Sequence, residues 1–236
     1  TATIIGKGST GGSGTTTFAI VLEGDGGGPQ LFALVDNGSS IAVARYDGGN
    51  FDLNTNQWVH VAFTWSDSNP VRLYINGTEV DATSNLSGPL NTVANSLLMG
   101  SSTDVNEIEY EGELDEIRIW DTQRTPTEIQ DNMFNTLVGN EAGLAMYYRF
   151  DQGIAGGDNT TPPIDLLPDR STNNNNGTLT NFTLNGSTSN WVNSSAQPDL
   201  YIVTNTNDSG TGSLRWCLDN AIAAVGKESI SFNIPI

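Results

Sequence analysis

The chain has 236 residues, of which 27 are acidic and 9 basic, giving a formal net charge of −18 at pH 7. Its seven Arg and two Lys are scattered from Lys7 to Lys227, so no basic patch can neutralise a run of phosphates. Nucleic acids and anionic membrane surfaces are therefore poor partners. No stretch approaches the ~20 consecutive apolar residues that insertion into a bilayer requires.

Up to about Phe150 the sequence reads as many short strands separated by turn clusters, a pattern typical of a sandwich or barrel. The clearest local signal is the run 71–75, in which Val71, Leu73 and Ile75 share one face. Asn76-Gly77 follows and supplies the two positive φ angles of a type I′ turn. The pattern predicts a β-hairpin there.

One short helix is predicted after these strands. Thr125 can cap it, Pro126 suits the first turn, and Glu128 completes a capping box. The chain then returns as a strand over 143–150.

Residues 151–197 are loop-rich and of low complexity, but they contain apolar residues that can anchor them to the sandwich: Ile164, Leu166, Leu179, Phe182 and Trp191. Residues 198–236 follow the order strand, helix, strand, with Cys217 at a position where a small buried side chain is expected. Because the chain opens in a strand-like run and stops within an alternating strand, we expect a segment of a longer polypeptide.

Four segments resemble the successive elements of a laminin-G-like domain of the concanavalin A-like superfamily: 57–65, 71–77, 112–120 and 125–129. The resemblance covers roughly residues 1–150 and implies an all-β jelly-roll sandwich with one short helix. The resemblance implies that the opening strands of that domain are missing here, because residues 1–8 match a point well inside it; either a preceding chain segment supplies them or the sheet has open edges.

Residues 203–215 and 231–235 resemble the N-terminal cap of right-handed parallel β-helices in secreted bacterial surface proteins. The expected organisation is a sandwich over 1–150, a wrapping segment or linker over 151–197, and a cap fragment over 198–236 that starts a β-helix as strand, helix, strand. The combination is similar to large bacterial adhesins and implies an extracellular, cell-surface location.

Catalysis is not expected. Glucanases of the superfamily use Glu, Asp and Glu at alternating positions of one strand. Here Glu113 and Asp115 supply the first two, but Ile117 and Arg118 stand where the third should fall. The single histidine, His60, is expected at a surface or hydrogen-bonded strand position rather than at a metal or triad.

An unusual series of carboxylates is spaced by two residues: Glu107, Glu109, Glu111, Glu113 and Asp115. In an extended strand all five would point to one side and repel one another. Solvent with a bulge at Gly112 would relieve the repulsion, and so would Ca²⁺. The resemblance places Asp115 and Glu116 near a calcium ion at the sheet rim, with Asp104 and Glu107 next.

Glycan binding needs an aromatic platform and neutral hydrogen-bonding groups. Tyr74 and Arg72 face away from Val71 and Leu73, so they are candidates on the free side of the sheet. Tyr46 and the neighbouring Asp47 are candidates at its rim. Packing of these tyrosines against the returning chain is the alternative.

The sequence thus predicts a non-enzymatic extracellular adhesion or recognition module of a large bacterial surface protein, which binds a polysaccharide, another glycan or a surface protein. One alternative is a structural subunit or spacer that forms homo-oligomers within an appendage. Another is an accessory binding module of a polysaccharide-degrading enzyme.

Overall fold

The computed structural model describes residues 1–9, 13–25, 28–46, 58–104, 109–193, 200–203, 205–210, 213–223 and 229–232. The chain divides into two compact units. The first unit comprises Thr1–Leu114, Arg118–Met133 and Glu141–Ala145, and the second comprises Asp115–Ile117, Phe134–Asn140 and Met146–Ile236.

Short strands dominate the described residues, with two α-helices among them. In chain order the elements are β1 (Ala2–Gly8), β2 (Thr16–Asp25), β3 (Gly28–Asp36), β4 (Ile41–Tyr46), β5 (Val61–Thr64), β6 (Asn69–Ile75), β7 (Thr78–Leu86), β8 (Leu97–Met99), β9 (Ile117–Trp120), α1 (Pro126–Asn132), β10 (Leu144–Tyr148), β11 (Leu166–Leu167), β12 (Gly177–Thr178), β13 (Leu200–Val203), α2 (Leu214–Ala223) and β14 (Ser229–Phe232).

A five-stranded antiparallel sheet in the order β4-β3-β2-β1-β8 forms one layer of the first unit. Its strand β3 contains the unbroken apolar run 31–35, in which Leu31, Ala33 and Val35 share one face and Phe32 and Leu34 share the other. All five side chains are buried. An unbroken apolar run is the pattern of a strand that is covered on both sides, which accounts for the absence of polar alternation.

The second layer is the three-stranded antiparallel sheet β5-β6-β7. The predicted hairpin turn is confirmed, with φ of 48° at Asn76 and 74° at Gly77. Between the layers, the rings of Phe18 on β2 and Phe63 on β5 have centroids 6.0 Å apart. Two antiparallel layers with aromatic contact between them confirm the all-β architecture, consistent with a jelly-roll sandwich.

Helix α1 has the cap that the sequence predicted. The Thr125 hydroxyl oxygen accepts the Glu128 N–H, and the Glu128 carboxylate accepts the Thr125 N–H. Farther along α1, the Gln130 side-chain amide donates to the Gly77 carbonyl at 2.9 Å. The helix is therefore tied to the β6-β7 hairpin.

Within the second unit, polar side chains hold the loop-rich segment 151–193 more than the predicted apolar anchors do. Trp191 is buried, but Leu166 and Phe182 are 52% and 48% exposed, so the prediction that these two anchor the segment is wrong. Instead Asn159, 1% exposed, holds the Ile154 backbone from both sides, accepting its N–H and donating to its carbonyl. Buried, hydrogen-bonded polar groups therefore add to the few buried apolar side chains of this segment, Leu167, Leu184 and Trp191.

Asp169 is the other buried polar centre of the second unit. Its carboxylate accepts the N–H groups of Tyr147, Ser171 and Asn175 at 2.8–2.9 Å and the Ser171 hydroxyl at 2.8 Å. Burial alone would raise the pKa of Asp169, but these donors together lower it below the ordinary value. The ionised form is therefore the one that the fold selects.

The predicted order strand, helix, strand is present after residue 197. Strands β13 and β14 pair in parallel, and α2 lies between them in the chain. Cys217 on α2 is fully buried, in agreement with the sequence pattern. Neither described helix has the length and apolar character that crossing a membrane demands.

His60 precedes β5 and joins the hairpin turn through its backbone. Its N–H donates to the Asn76 side-chain oxygen at 3.0 Å and its carbonyl accepts the Asn76 N–H at 2.8 Å. The imidazole Nδ1 is buried without a hydrogen-bond partner among the residues described. Burial, and secondarily the Arg118 guanidinium, lower the pKa of His60 from 6.5 to about 4.

Replacing Asp169 by Asn is expected to loosen the second unit, because an NH₂ group would then face N–H donors. Unpaired buried donors cost about 1–3 kcal/mol. Amide hydrogen exchange at Tyr147, Ser171 and Asn175 should accelerate by roughly 5- to 150-fold in Asp169→Asn. The control Asp165→Asn removes the same charge outside this cluster, and equal acceleration in the two variants would contradict the assignment.

The lowered pKa of His60 sets the direction of a pH effect. The folded state disfavours the imidazolium, so its contribution to stability is complete above the unfolded pKa of about 6.5 and is lost as pH falls towards the folded value. The free energy of unfolding should fall by about 3 kcal/mol between pH 6.5 and 4 from this group. Since the chain has one histidine, NMR titration of its imidazole tests the assignment, and a midpoint near 6.5 would refute it.

Candidate functional site

A cleft of about 300 Å³ opens on the face of the three-stranded sheet that is opposite to Val71 and Leu73. It lies entirely within the first unit. Its walls come from all three strands and from the chain that leads into α1: Thr64, Arg72, Tyr74, Glu79, Gln123, Arg124, Thr125 and Pro126.

Alternation along β6 places the first wall of the cleft. Val71 and Leu73 are fully buried on one face of β6, and Arg72 and Tyr74 point to the other face, as the sequence predicted. From the neighbouring strand β7, the Glu79 carboxylate accepts two hydrogen bonds from Arg72 Nη1, at 2.8 and 3.0 Å. This cross-strand ion pair fixes the direction in which the guanidinium points.

Tyr74 contributes its hydroxyl rather than its ring. The residue is 1% exposed, and the hydroxyl donates to Glu79 Oε2 at 3.3 Å. Burial raises the pKa of Tyr74, a hydrogen bond from Thr64 lowers it, and the nearby Glu79 charge raises it again, with a net increase. The phenol therefore stays protonated at neutral pH, but its buried ring offers no stacking platform for a sugar.

Arg124 lines the cleft from the chain that leads into α1, and the sequence pattern did not indicate it. Its guanidinium lies 4.2 Å from the centre of the Trp120 ring and its Nη2 is 2.7 Å from Glu128 Oε1. A cation over an aromatic face and an ion pair together restrict the side chain. The available signal was an arginine just ahead of a capping box, which is too common to indicate a site.

Neutral groups complete the cleft. The Ser66 hydroxyl donates to Gln123 Oε1 at 2.8 Å, and Gln123 Nε2 donates to Thr64 Oγ1 at 3.4 Å. The cleft therefore combines amide and hydroxyl groups with two guanidinium groups and one carboxylate, all on side chains that are already held by neighbours.

The predicted rim residues are placed differently. Tyr46 ends β4 in the five-stranded sheet, where it pairs with Leu31, and it does not line the cleft. Asp47 lies outside the described residues.

Among the predicted calcium ligands, Glu116 is engaged by the protein itself. Its Oε2 accepts the Tyr147 hydroxyl at 2.7 Å, and its Oε1 is 3.8 Å from Arg149 Nε. Asp115 accepts the Glu116 N–H at 2.8 Å. In the first unit, Asp104 accepts the Ser9 hydroxyl at 3.3 Å. Glu107 falls outside the described residues.

The acidic segment is not an extended strand where it is described. Residues 109–116 precede β9 without strand structure, and Glu116 has a left-handed φ of 52°. The expectation that alternate carboxylates share one strand face therefore fails for 109–116. Across the described parts of the chain, no three acidic, histidine or cysteine side chains are grouped closely enough to hold a metal ion.

Comparison with known proteins places the chain in a family. Residues 1–130 match the Laminin_G_3 model, which is described as the concanavalin A-like lectin/glucanases superfamily. Over 130 residues the chain is 32% identical to adhesion G-protein coupled receptor D1 of Homo sapiens; the alignment covers 54% of this chain and 14% of the receptor. No solved structure matches the chain at a significant level. Since the matched region exceeds half of the sequence, the protein belongs to the concanavalin A-like lectin/glucanase superfamily and carries a laminin-G-like domain.

Proposed function

We propose that this protein is an extracellular, non-enzymatic recognition module that binds a saccharide in the cleft of the first unit and serves adhesion at a cell surface. The observation that carries the proposal is the cleft itself. Its polar groups converge from β5, β6, β7 and the entry to α1 on a volume of about 300 Å³, the lower end of the range for small-molecule sites.

Preorganisation of the cleft supports a binding role. Arg72 is held by Glu79, and Arg124 is held by Trp120 and Glu128. A ligand that enters does not have to order these side chains, which lowers the entropic cost of binding. Gln123 and Thr64 supply the neutral hydrogen-bonding groups that sugar hydroxyls require.

The comparisons support the adhesion part of the proposal. Laminin-G-like domains are typically extracellular binding modules, and the human relative is named as an adhesion receptor. The chain spans 14% of that receptor, so nothing of the receptor's own activity is transferred. A bacterial surface and a β-helix after residue 197 stay predictions from the sequence resemblance.

The non-enzymatic part rests on the sequence. Glu113 and Asp115 lack the third acidic residue of the glucanase motif, since Ile117 and Arg118 occupy the positions where it would stand. A module that binds sugar without cleaving it is also compatible with an accessory role beside a separate catalytic domain.

A structural subunit is the second candidate, and one feature of the second unit favours it. Val138, Ile154 and Leu166 are 82%, 63% and 52% exposed. Large apolar side chains exposed to water are where contacts between copies of a chain can form. Sedimentation of the isolated chain distinguishes this candidate, because it requires self-association.

Saccharide binding predicts that a glycan array will retain the labelled protein and that Gln123→Ala will weaken the signal. Losing one or two neutral hydrogen bonds should reduce affinity by about 2- to 10-fold. Gln152→Ala, in the second unit, is the matched control and should bind as the wild type does. An array on which no glycan retains the wild-type protein would refute saccharide binding.

Calcium dependence is tested separately. If Asp115 and Glu116 hold Ca²⁺ with a Kd on the order of 0.1–1 mM, then 10 mM calcium added after chelation should stabilise the fold by about 1–3 kcal/mol. The thermal midpoint should rise accordingly, and Asp115→Asn should abolish the rise. An unchanged midpoint in the wild-type protein would show that calcium does not stabilise it.

A further inference from the structure

Two of the seven arginines of a strongly acidic chain line one cleft. The formal net charge of −18 repels anions from the molecule as a whole. Within the cleft, however, Arg72 and Arg124 stand against a single lining carboxylate, Glu79. Glu128 of α1 neutralises part of the Arg124 charge from outside the lining.

Each guanidinium keeps N–H groups that do not take part in these ion pairs. Arg72 uses Nη1 for both oxygens of Glu79, and Arg124 uses Nη2 for Glu128. Within the described residues, no acceptor is bonded to Nη2 or Nε of Arg72, or to Nη1 or Nε of Arg124. A guanidinium has five N–H donors in a fixed plane, so each can receive a second planar anion beside its first.

The arginines are fixed in advance of binding. Arg72 forms an ion pair with Glu79 on the neighbouring strand. Arg124 lies over the Trp120 ring, with its Cζ atom 4.2 Å from the ring centre. A restrained guanidinium favours two-pronged recognition of a carboxylate over loose attraction to any negative charge.

The remainder of the lining is suited to sugar hydroxyls. Gln123, Thr64 and Thr125 present amide and hydroxyl groups, and the Tyr74 hydroxyl lies beside Glu79 at 3.3 Å. A volume of about 300 Å³ fits a terminal sugar unit rather than a long stretch of chain.

We propose that the cleft prefers an acidic saccharide, with the carboxylate of a uronic acid unit bound by Arg72 and Arg124 and its hydroxyls bound by the neutral side chains. The inference rests on the proposed function, since it names the class of sugar that the same cleft selects. The two guanidinium groups would bind the carboxylate of a uronate, and its neutral counterpart has no carboxylate for them to bind.

Matched pairs of monosaccharides test the preference. Glucuronate with glucose, galacturonate with galactose, and mannuronate with mannose differ only in a carboxylate at the sixth carbon. Titrations of the full chain followed by NMR should show at least one uronate binding about tenfold or more tightly than its neutral partner, because hydrogen bonds to charged groups are stronger than neutral ones. Acetate should compete poorly, because it lacks the hydroxyls.

Substitutions assign the preference to the arginines. Arg72→Gln and Arg124→Gln should each reduce the ratio of uronate affinity to neutral-sugar affinity by about tenfold. Arg72→Lys keeps the charge without the planar donors and should retain part of the preference. Arg170→Gln, an exposed arginine of the second unit, is the control and should not change binding. Thermal midpoints confirm that each variant is folded.

The outcomes separate the two proposals. If neutral sugars bind as tightly as uronates and the arginine variants change nothing, the acidic preference is wrong and the saccharide site stands. If acetate competes as well as glucuronate, the arginines recognise a bare carboxylate and the saccharide assignment is wrong for this pair. If no monosaccharide perturbs the spectrum and the glycan array is also empty, both proposals fall.

Discussion

The two-residue repeat of strand β6 is the constraint on which the candidate site depends. Val71 and Leu73 are completely buried, and their burial fixes which side of the strand faces the other layer. Arg72 and Tyr74 therefore lie on the opposite face, where both donate hydrogen bonds to the Glu79 carboxylate of β7. A shift of one residue in this register would exchange the two sets, placing a guanidinium between the layers and apolar side chains in the cleft. The hydrophobic core and the binding surface are therefore specified by the same few residues.

Much of the first unit could be read from the sequence because its signals are local. The Asn76-Gly77 turn and the Thr125 and Glu128 cap each involve residues that are close in the chain, and the structure confirms both. Local signals of this kind could not predict that Arg124 lines the cleft. Arg124 meets Trp120 and lines the same cleft as Arg72 only through folding, and no spacing rule connects positions 52 residues apart.

The acidic segment and Tyr74 show what a residue pattern does not specify. The spacing of Glu109, Glu111 and Glu113 fits a strand, but among the described residues from 109 onwards strand structure begins at Ile117. Without strand geometry over 109–116, these side chains do not share one strand face. For Tyr74, the alternation along β6 gives the face that the side chain takes, but it does not show that the ring is covered.

The polar anchoring of the second unit has a thermodynamic consequence. Asn159 and Asp169 organise it through hydrogen bonds to backbone groups, while Leu166 and Phe182 remain in water. The heat capacity increment of unfolding grows with apolar area exposed and shrinks with polar area exposed. For a region held in this way, the free energy of unfolding should curve only weakly with temperature, because the enthalpy of unfolding changes little as temperature rises.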